Sequence, residues 1–356
     1  MVFKLKKNII SVKRNIETKL VNESYIDLSR NERTINLENK VFKKIINNIS
    51  PYDLRKYPTD IDDFYKLLSK FIKIKKENLV LTQGADGGLL NIFNIFGLKK
   101  SKVIYLSPSY AMYSVYCKIF SLQSRPLKLT LGEKNQNYYL KLKNKILNER
   151  PNLVAISNPN QPIDVLLNEK QLENICRLTY KLNCILVVDE AYFHFCKITA
   201  KNLIKKFNNL IIVRTFSKAF GLAGLRVGYC ISNKKIIDLL KTIKPNYELN
   251  NINIKICKFL LLKKNIMKNY VKEINISNKL LVINLKKNGY EAYSSNSNSI
   301  LINLKSKKEC DIKYNKLIKY KILVKKLSFD NKNFCIRITS GSKKQIKKVI
   351  KIFEKK

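Results

Sequence analysis

The chain has 356 residues, 45% of them hydrophobic and 27% charged, which is enough apolar material for one large core or two smaller ones and excludes a disordered polymer. Eight cysteines without a CxxC pair and a single histidine, His194, exclude zinc ribbons, redox dithiols and multi-histidine metal centres, so no metal site is expected. The formal charge of +44, from 70 basic and 26 acidic residues, is spread over the whole length. With no zinc finger, RNP-like run or RGG tract, it reads as a compositional bias toward Lys, Asn and Ile rather than as a nucleic-acid surface.

In chain order, residues 1–35 mix charges without periodicity and are read as an N-terminal arm. No apolar stretch follows the basic start and nowhere do about 18 apolar residues run together, so neither an export signal nor a membrane span is expected. The chain is therefore read as cytoplasmic, with its cysteines as packing thiols in a reducing compartment. Residues 36–245 form the expected large domain. Within it, helical stretches alternate with the β-branched runs Asn78–Thr82, Lys102–Leu106, Leu153–Ser157, Cys184–Val188 and Leu210–Arg214. Near-continuous apolar runs suit strands buried on both faces, and strands punctuated by helices imply a parallel sheet with crossovers. Ligands then belong at the carboxyl ends of the strands.

A helical stretch over about 246–285 opens a smaller C-terminal α+β domain, 246–356, with strands expected at Ser299–Asn303 and Phe334–Ile338. Ser342 is the expected cap of a last helix, in which Ile346, Val349, Ile350 and Phe353 at i, i+3, i+4 and i+7 make one apolar stripe.

The stretch with chemical content is Thr215-Phe216-Ser217-Lys218-Ala219-Phe220-Gly221-Leu222-Ala223-Gly224-Leu225-Arg226, directly after a buried strand. A lysine at the mouth of a sheet, beside an arginine, is where desolvation and a cationic neighbour leave a nucleophilic amine able to form a Schiff base. Thr215, Ser217 and Arg226 offer donors to a phosphate, and Gly221 and Gly224 permit close backbone approach to it. Upstream by 29 residues, Asp189-Glu190-Ala191-Tyr192 puts a carboxylate at a strand's carboxyl end, in reach of the same crevice. Read singly, Lys218 is one surface lysine among many and Asp189 an ordinary helix cap; the combination is what carries the chemistry.

Together these segments resemble the fold-type-I pyridoxal-phosphate (PLP) aminotransferases, most narrowly the histidinol-phosphate aminotransferase group, from about residue 28 to the C-terminus. The resemblance implies an α/β fold with a mainly parallel central sheet and a smaller α+β domain, and pyridoxal 5'-phosphate as cofactor. By motif, Lys218 would carry the cofactor as a Schiff base and move a proton between the substrate Cα and cofactor C4′. Asp189 would pair with the pyridine N–H and Tyr192 with the phenolic oxygen. The turn Gln83-Gly84-Ala85-Asp86-Gly87-Gly88, between a strand and an apolar helix, offers the backbone N–H groups of Gly84, Ala85 and Asp86 to the phosphate. In Ser107-Pro108-Ser109-Tyr110-Ala111-Met112-Tyr113, Tyr110 would stack on the pyridine ring.

Arg55-Lys56-Tyr57-Pro58 resembles the segment whose tyrosine reaches the cofactor phosphate of a neighbouring subunit, which implies a homodimer. Arg337, in Arg337-Ile338-Thr339-Ser340-Gly341, would clamp the substrate anion, with Lys325 and Asn31 as further substrate-binding residues. The implied partners are small molecules: an amino donor, glutamate, and an oxo acceptor, imidazole acetol phosphate. No nucleic acid and no membrane are expected.

Two departures from the family pattern touch substrate fit. Asn158-Pro159-Asn160-Gln161-Pro162-Ile163-Asp164 carries Gln161 where the family has the asparagine that contacts the phenolic oxygen, and Ile163-Asp164 where it has Thr-Gly. Lys325 stands where a second anion-binding arginine is common, and supplies charge without the bidentate fork. They leave open a phospho-amino-acid decarboxylase or a surface-polysaccharide-pathway aminotransferase on the same scaffold, and, from another class, a nucleic-acid binder on an inactive enzyme fold. His194, five residues after Asp189, is read as structural rather than as a catalytic base.

Overall fold

The computed structural model describes residues 24–58, 60–293, 296–329 and 332–354 together with positions 9 and 12; the rest of the expected arm, up to residue 23, lies outside the described residues. Thirteen strands follow one another among the described residues. The first eight are β1 (Ile26–Asp27), β2 (Leu79–Gln83), β3 (Lys102–Ser107), β4 (Gln123–Lys128), β5 (Leu153–Ser157), β6 (Ile185–Asp189), β7 (Leu210–Thr215) and β8 (Val227–Ile231). The last five are β9 (Glu291–Tyr293), β10 (Ser299–Leu304), β11 (Ile322–Leu323), β12 (Lys325–Phe329) and β13 (Asn333–Thr339).

The large unit is α/β. Its seven-stranded sheet has the order β2-β8-β7-β6-β5-β3-β4, parallel throughout except for β8, which runs against both of its neighbours. The period-two alternation of strands sorts its side chains into two cores. Leu186 and Val188 of β6 and Ile212 of β7 point to one face, and Val187, Ile211 and Val213 to the other. Helices Ile61–Ile72, Asn135–Glu149, Glu169–Lys181 and Asn251–Leu262 cover the first face; Gly84–Phe96, Met112–Ile119 and Lys234–Ile243 cover the second. Because both faces are covered, polar groups converge where the strands end, and that is where the cavity opens.

The smaller unit packs helices Lys307–Lys319 and Lys343–Phe353 on an antiparallel sheet ordered β12-β13-β10-β9. Ser342 caps the last helix as expected: its hydroxyl accepts from the Gln345 amide at 3.3 Å while Gln345 Oε1 accepts from Ser342 N at 2.8 Å. The described end of the arm joins this unit, since β1 pairs in parallel with β11 and Leu28 is buried in its core.

The structure corrects the reading of several segments. The helical stretch expected over 246–285 is two helices, Asn251–Leu262 and Asn265–Lys287, separated at Lys263 and Lys264 and started by Asn250, whose side chain accepts from Asn253 N. Leu249, Ile254, Cys257, Leu260 and Ile274 belong to the large core and Leu281 and Leu285 to the small one. Core packing therefore passes from one unit to the other inside helix Asn265–Lys287, well beyond the expected boundary at 245/246. Strands β1, β4, β8, β9, β11 and β12 were not expected. β4 is an edge strand carrying Gln123, Ser124, Arg125 and Pro126, too polar to read as a strand, and β8 starts at Val227, directly after the Gly- and Arg-containing block.

Candidate active site

At the carboxyl ends of β2, β3, β5, β6 and β7 lies a cavity of about 350 Å³. Asn31, Ala85, Asp86, Tyr110, Gln161, Asp189, Tyr192, Thr215, Ser217, Lys218, Arg226 and Arg337 all line it, so residues scattered over three hundred positions of sequence meet at one place.

One end of the cavity gathers hydrogen-bond donors. Gly84, with φ +70°, turns the chain from β2 into helix Gly84–Phe96, and a Cβ there would stand 2.9 Å from Arg226 Nη2. Opposite it, a Cβ on Gly228 of β8 would lie 2.3 Å from Gly84 C, so the turn sits directly on the neighbouring backbone. Ala85 and Asp86, in the first turn of that helix, line the cavity together with Thr215 and Ser217, whose hydroxyls are 3.0 Å apart, and Arg226 Nη1 lies 3.5 Å from Ser217 Oγ. Gly221, expected to approach a phosphate, instead makes room for Arg33: its Cβ would come within 2.2 Å of Arg33 Cδ. Gly224 has nothing within 4 Å of a Cβ.

At the floor is Asp189, the last residue of β6. Its Oδ2 accepts from Tyr113 Oη at 2.9 Å and its Oδ1 from Ala191 N at 3.0 Å. Burial pushes its carboxyl up to about 6, opposed by those two hydrogen bonds and by the Lys218 charge. Tyr113 Oη also meets Ser157 Oγ at 2.9 Å, and the Tyr110 ring stands edge-on to Tyr113 with centroids 5.8 Å apart. Tyr113 and Ser157 were missed as site residues. Ser157 ends β5, so the rule that ligands gather at strand ends could have found it, and Tyr113 closes the segment that contains Tyr110.

The opposite wall comes from the arm and the small unit. Lys218 Nζ donates to Asn31 O at 3.0 Å, and Asn31 Nδ2 donates to Tyr192 Oη at 3.0 Å. Asn31 has φ +56° and is held there by Thr339, whose Oγ1 accepts from Asn31 N and donates to Asn31 Oδ1. Arg337 is directed by β13 into the cavity. Its Nη2 donates to Ser29 O, while its buried Nε has no hydrogen-bond partner. A desolvated, unsatisfied guanidinium N–H in a cavity is costly unless an anion accepts from it.

Two expected residues stand apart from this cavity. Lys325 pairs with Arg337 across β12 and β13 and so shares its face of the sheet, but it is not part of the wall; burial, together with the Arg337 charge, lowers its affinity for a proton. Tyr57 lies on the surface, 70% exposed, its ring stacked 4.2 Å from that of Tyr247. Gln161 does line the cavity, with Oε1 accepting from Ser299 Oγ at 2.9 Å, so a residue of the small unit orients its amide. Asp164, the neighbouring departure, also reaches the small unit: its carboxylate accepts from Asn296 N at 3.0 Å and Nδ2 at 2.7 Å, and burial pushes it up to about 6. His194 packs between Phe193 and Phe220 and is driven down to about 3 by burial and by the Arg214 charge, so it is neutral at physiological pH.

Comparison with known proteins gives the family and the fold of the chain that builds this cavity. The sequence profile described as Aminotransferase class I and II matches residues 23–353. The chain belongs to this family of PLP-dependent aminotransferases. Among its relatives, the histidinol-phosphate aminotransferase of Clostridium novyi (strain NT) is 32% identical over 332 residues, covering 91% of this chain and 90% of that one. The enzyme of the same name from Thermoanaerobacter sp. (strain X514) is 33% identical over 319 residues, covering 88% of each. The fold is that of the crystal structure of histidinol-phosphate aminotransferase from Sinorhizobium meliloti in complex with pyridoxal-5'-phosphate, with a TM-score of 0.87 at 18% identity over 99% of this chain and 98% of that one.

Proposed function

We propose that the chain exchanges the amino group of glutamate for the oxo group of imidazole acetol phosphate, giving histidinol phosphate and 2-oxoglutarate, as a cytoplasmic homodimer. The observation that carries this reading is the convergence of Lys218, Asp189, Tyr110, Arg226 and Arg337 on one cavity, in a chain about a third identical to enzymes named for that substrate.

The residues fit the cofactor. Its phosphate suits the amides of Ala85 and Asp86, the hydroxyls of Thr215 and Ser217, and Arg226, where Gly84 leaves space that a side chain would fill. Asp189 would accept from the protonated ring nitrogen, Tyr110 would cover the ring, and Tyr192 and Gln161 would donate toward the phenolic oxygen. Held in this way, PLP supplies an electron sink that acidifies the Cα–H of an attached amine. Lys218 Nζ would hold the cofactor and, as a free amine, would take the proton from the substrate Cα and return one in the second half-reaction.

Arg337, its Nε unsatisfied, donates to the carboxylate of glutamate and then to the phosphate of the acceptor, with Lys325 adding charge from the adjacent strand. Supporting a dimer, Phe42, Ile46, Leu54, Tyr57, Tyr247 and Leu262 are large apolar side chains left exposed, and Tyr57 and Tyr247 stack on each other at 4.2 Å, an exposed apolar pair of the kind that a second copy covers. No described helix is long and apolar enough to cross a membrane.

The test is a product assay on purified enzyme with histidinol phosphate and 2-oxoglutarate. Glutamate should form in step with imidazole acetol phosphate, and Lys218→Ala should abolish it while leaving the circular-dichroism spectrum unchanged. Release of CO₂ from phospho-amino acids in place of 2-oxo product, or turnover surviving in Lys218→Ala, would overturn the proposal.

A further inference from the structure

A second cavity, of about 730 Å³, lies behind the first, between helix Ile61–Ile72, the segment around 193–201 and helix Asn265–Lys287. It is separate from the catalytic cavity. Thr215 faces the catalytic side, and its strand neighbour Arg214 faces this one, tied to Glu190 through Nε and Nη2 at 2.9 and 2.8 Å. The charge that lines it is of one sign. Seven of the fifteen lining residues are Lys or Arg, against 70 of 356 in the chain, and none is Asp or Glu.

Six of the seven are lysines: Lys73, Lys197, Lys201, Lys268, Lys272 and Lys279. None of the six makes an ion pair among the described residues, although Lys201 Nζ donates to Ile72 O at 2.8 Å. Lys268, Lys272 and Lys279 lie on one face of their helix, at i, i+4 and i+11. Between the amines the wall is apolar and partly aromatic, formed by Phe71, Phe193, His194, Met267 and Val271.

Unpaired like charges around a concavity repel one another and are relieved by a polyanion, while an apolar wall asks for a flat organic body. A concavity of this size admits a small molecule and not a nucleic-acid duplex, whose backbone needs an extended basic face. We infer that this cavity is a second ligand site, for a nucleoside polyphosphate, with the base against Phe71, Phe193 and Met267 and the phosphates among the six lysines.

The experiment is equilibrium dialysis of the PLP-saturated enzyme with ATP at fixed ionic strength, because a chain of this charge also attracts anions without specificity. Saturable binding of one ATP per chain is expected. Lys268→Ala with Lys272→Ala should weaken it at least tenfold and leave amino transfer without ATP unchanged. Ile276→Trp, which removes no charge but fills the cavity mouth, should weaken it as much. Lys347→Ala with Lys348→Ala, on the exposed side of the last helix, should leave it unaltered. The assignment fails if binding does not saturate, if the Lys347/Lys348 pair matters as much as the Lys268/Lys272 pair, or if inorganic tripolyphosphate binds as tightly as ATP and ignores Ile276→Trp.

Discussion

Asp189 has to be ionised to accept from a protonated pyridine nitrogen, yet burial holds its proton up to about 6. A carboxyl raised in this way binds its own proton below that value and can no longer pair with the ring. PLP affinity should therefore be constant above about pH 7 and decline as pH falls through about 6, measured by titrating apoenzyme with PLP and following absorbance. Asp189→Asn should remove this dependence along with most of the affinity. Tyr113 donates to the same carboxylate and favours its charged form. Tyr113→Phe should accordingly move the midpoint to higher pH, a change that a purely structural tyrosine would not produce; an unshifted midpoint would remove that role. Lys218 and Asp189 were legible in the sequence because each sits in a local motif at a strand's end. Tyr113 was not singled out because its contact with Asp189 spans 76 residues, and Arg337's unsatisfied Nε is a property of burial that no sequence displays.

At the scale of elements, the anion cradle depends on two strands and a turn meeting without side chains between them. Gly228 lies opposite Thr82 in the β2–β8 register, and any Cβ on it would collide with the backbone of Gly84 at 2.3 Å and of Ala85 at 2.6 Å. Backbone cannot swing aside as a lysine tip can, so Gly228→Ala must displace the turn or part the strands. It should lower PLP affinity at least tenfold and depress the melting temperature by several degrees, a cost of a few kcal/mol for steric strain at a buried site. Gly224→Ala, with open space at its Cβ, is the matched control and should do neither. The buried parallel strands announced themselves by continuous Val, Ile and Leu. β8 stayed hidden because its strand pattern begins where the phosphate-binding pattern ends, and the break at Lys263 and Lys264 stayed hidden because lysine neither caps nor breaks a helix by composition.

At the scale of the whole molecule, the proposed dimer has Tyr57 serve the cavity of a second copy, since it does not line the cavity of its own chain. Its ring is stacked on Tyr247 in an exposed apolar pair, which is where a second copy would dock and bring one chain's Tyr57 toward the other's cradle. This arrangement has a consequence that a site complete within one chain would lack. Mix Lys218→Ala with Tyr57→Ala, each impaired as a homodimer, and allow the subunits to exchange. In the mixed dimer one site then has neither required residue and the other has both, Lys218 from the Tyr57→Ala chain and Tyr57 from the Lys218→Ala chain. With random pairing in a symmetric dimer, about one site in four is restored. Amino transfer should rise above the sum of the separate homodimers and reach about a quarter of the unmutated rate; a simple sum after exchange, verified by mass-tagged subunits, would place Tyr57 outside the partner's site.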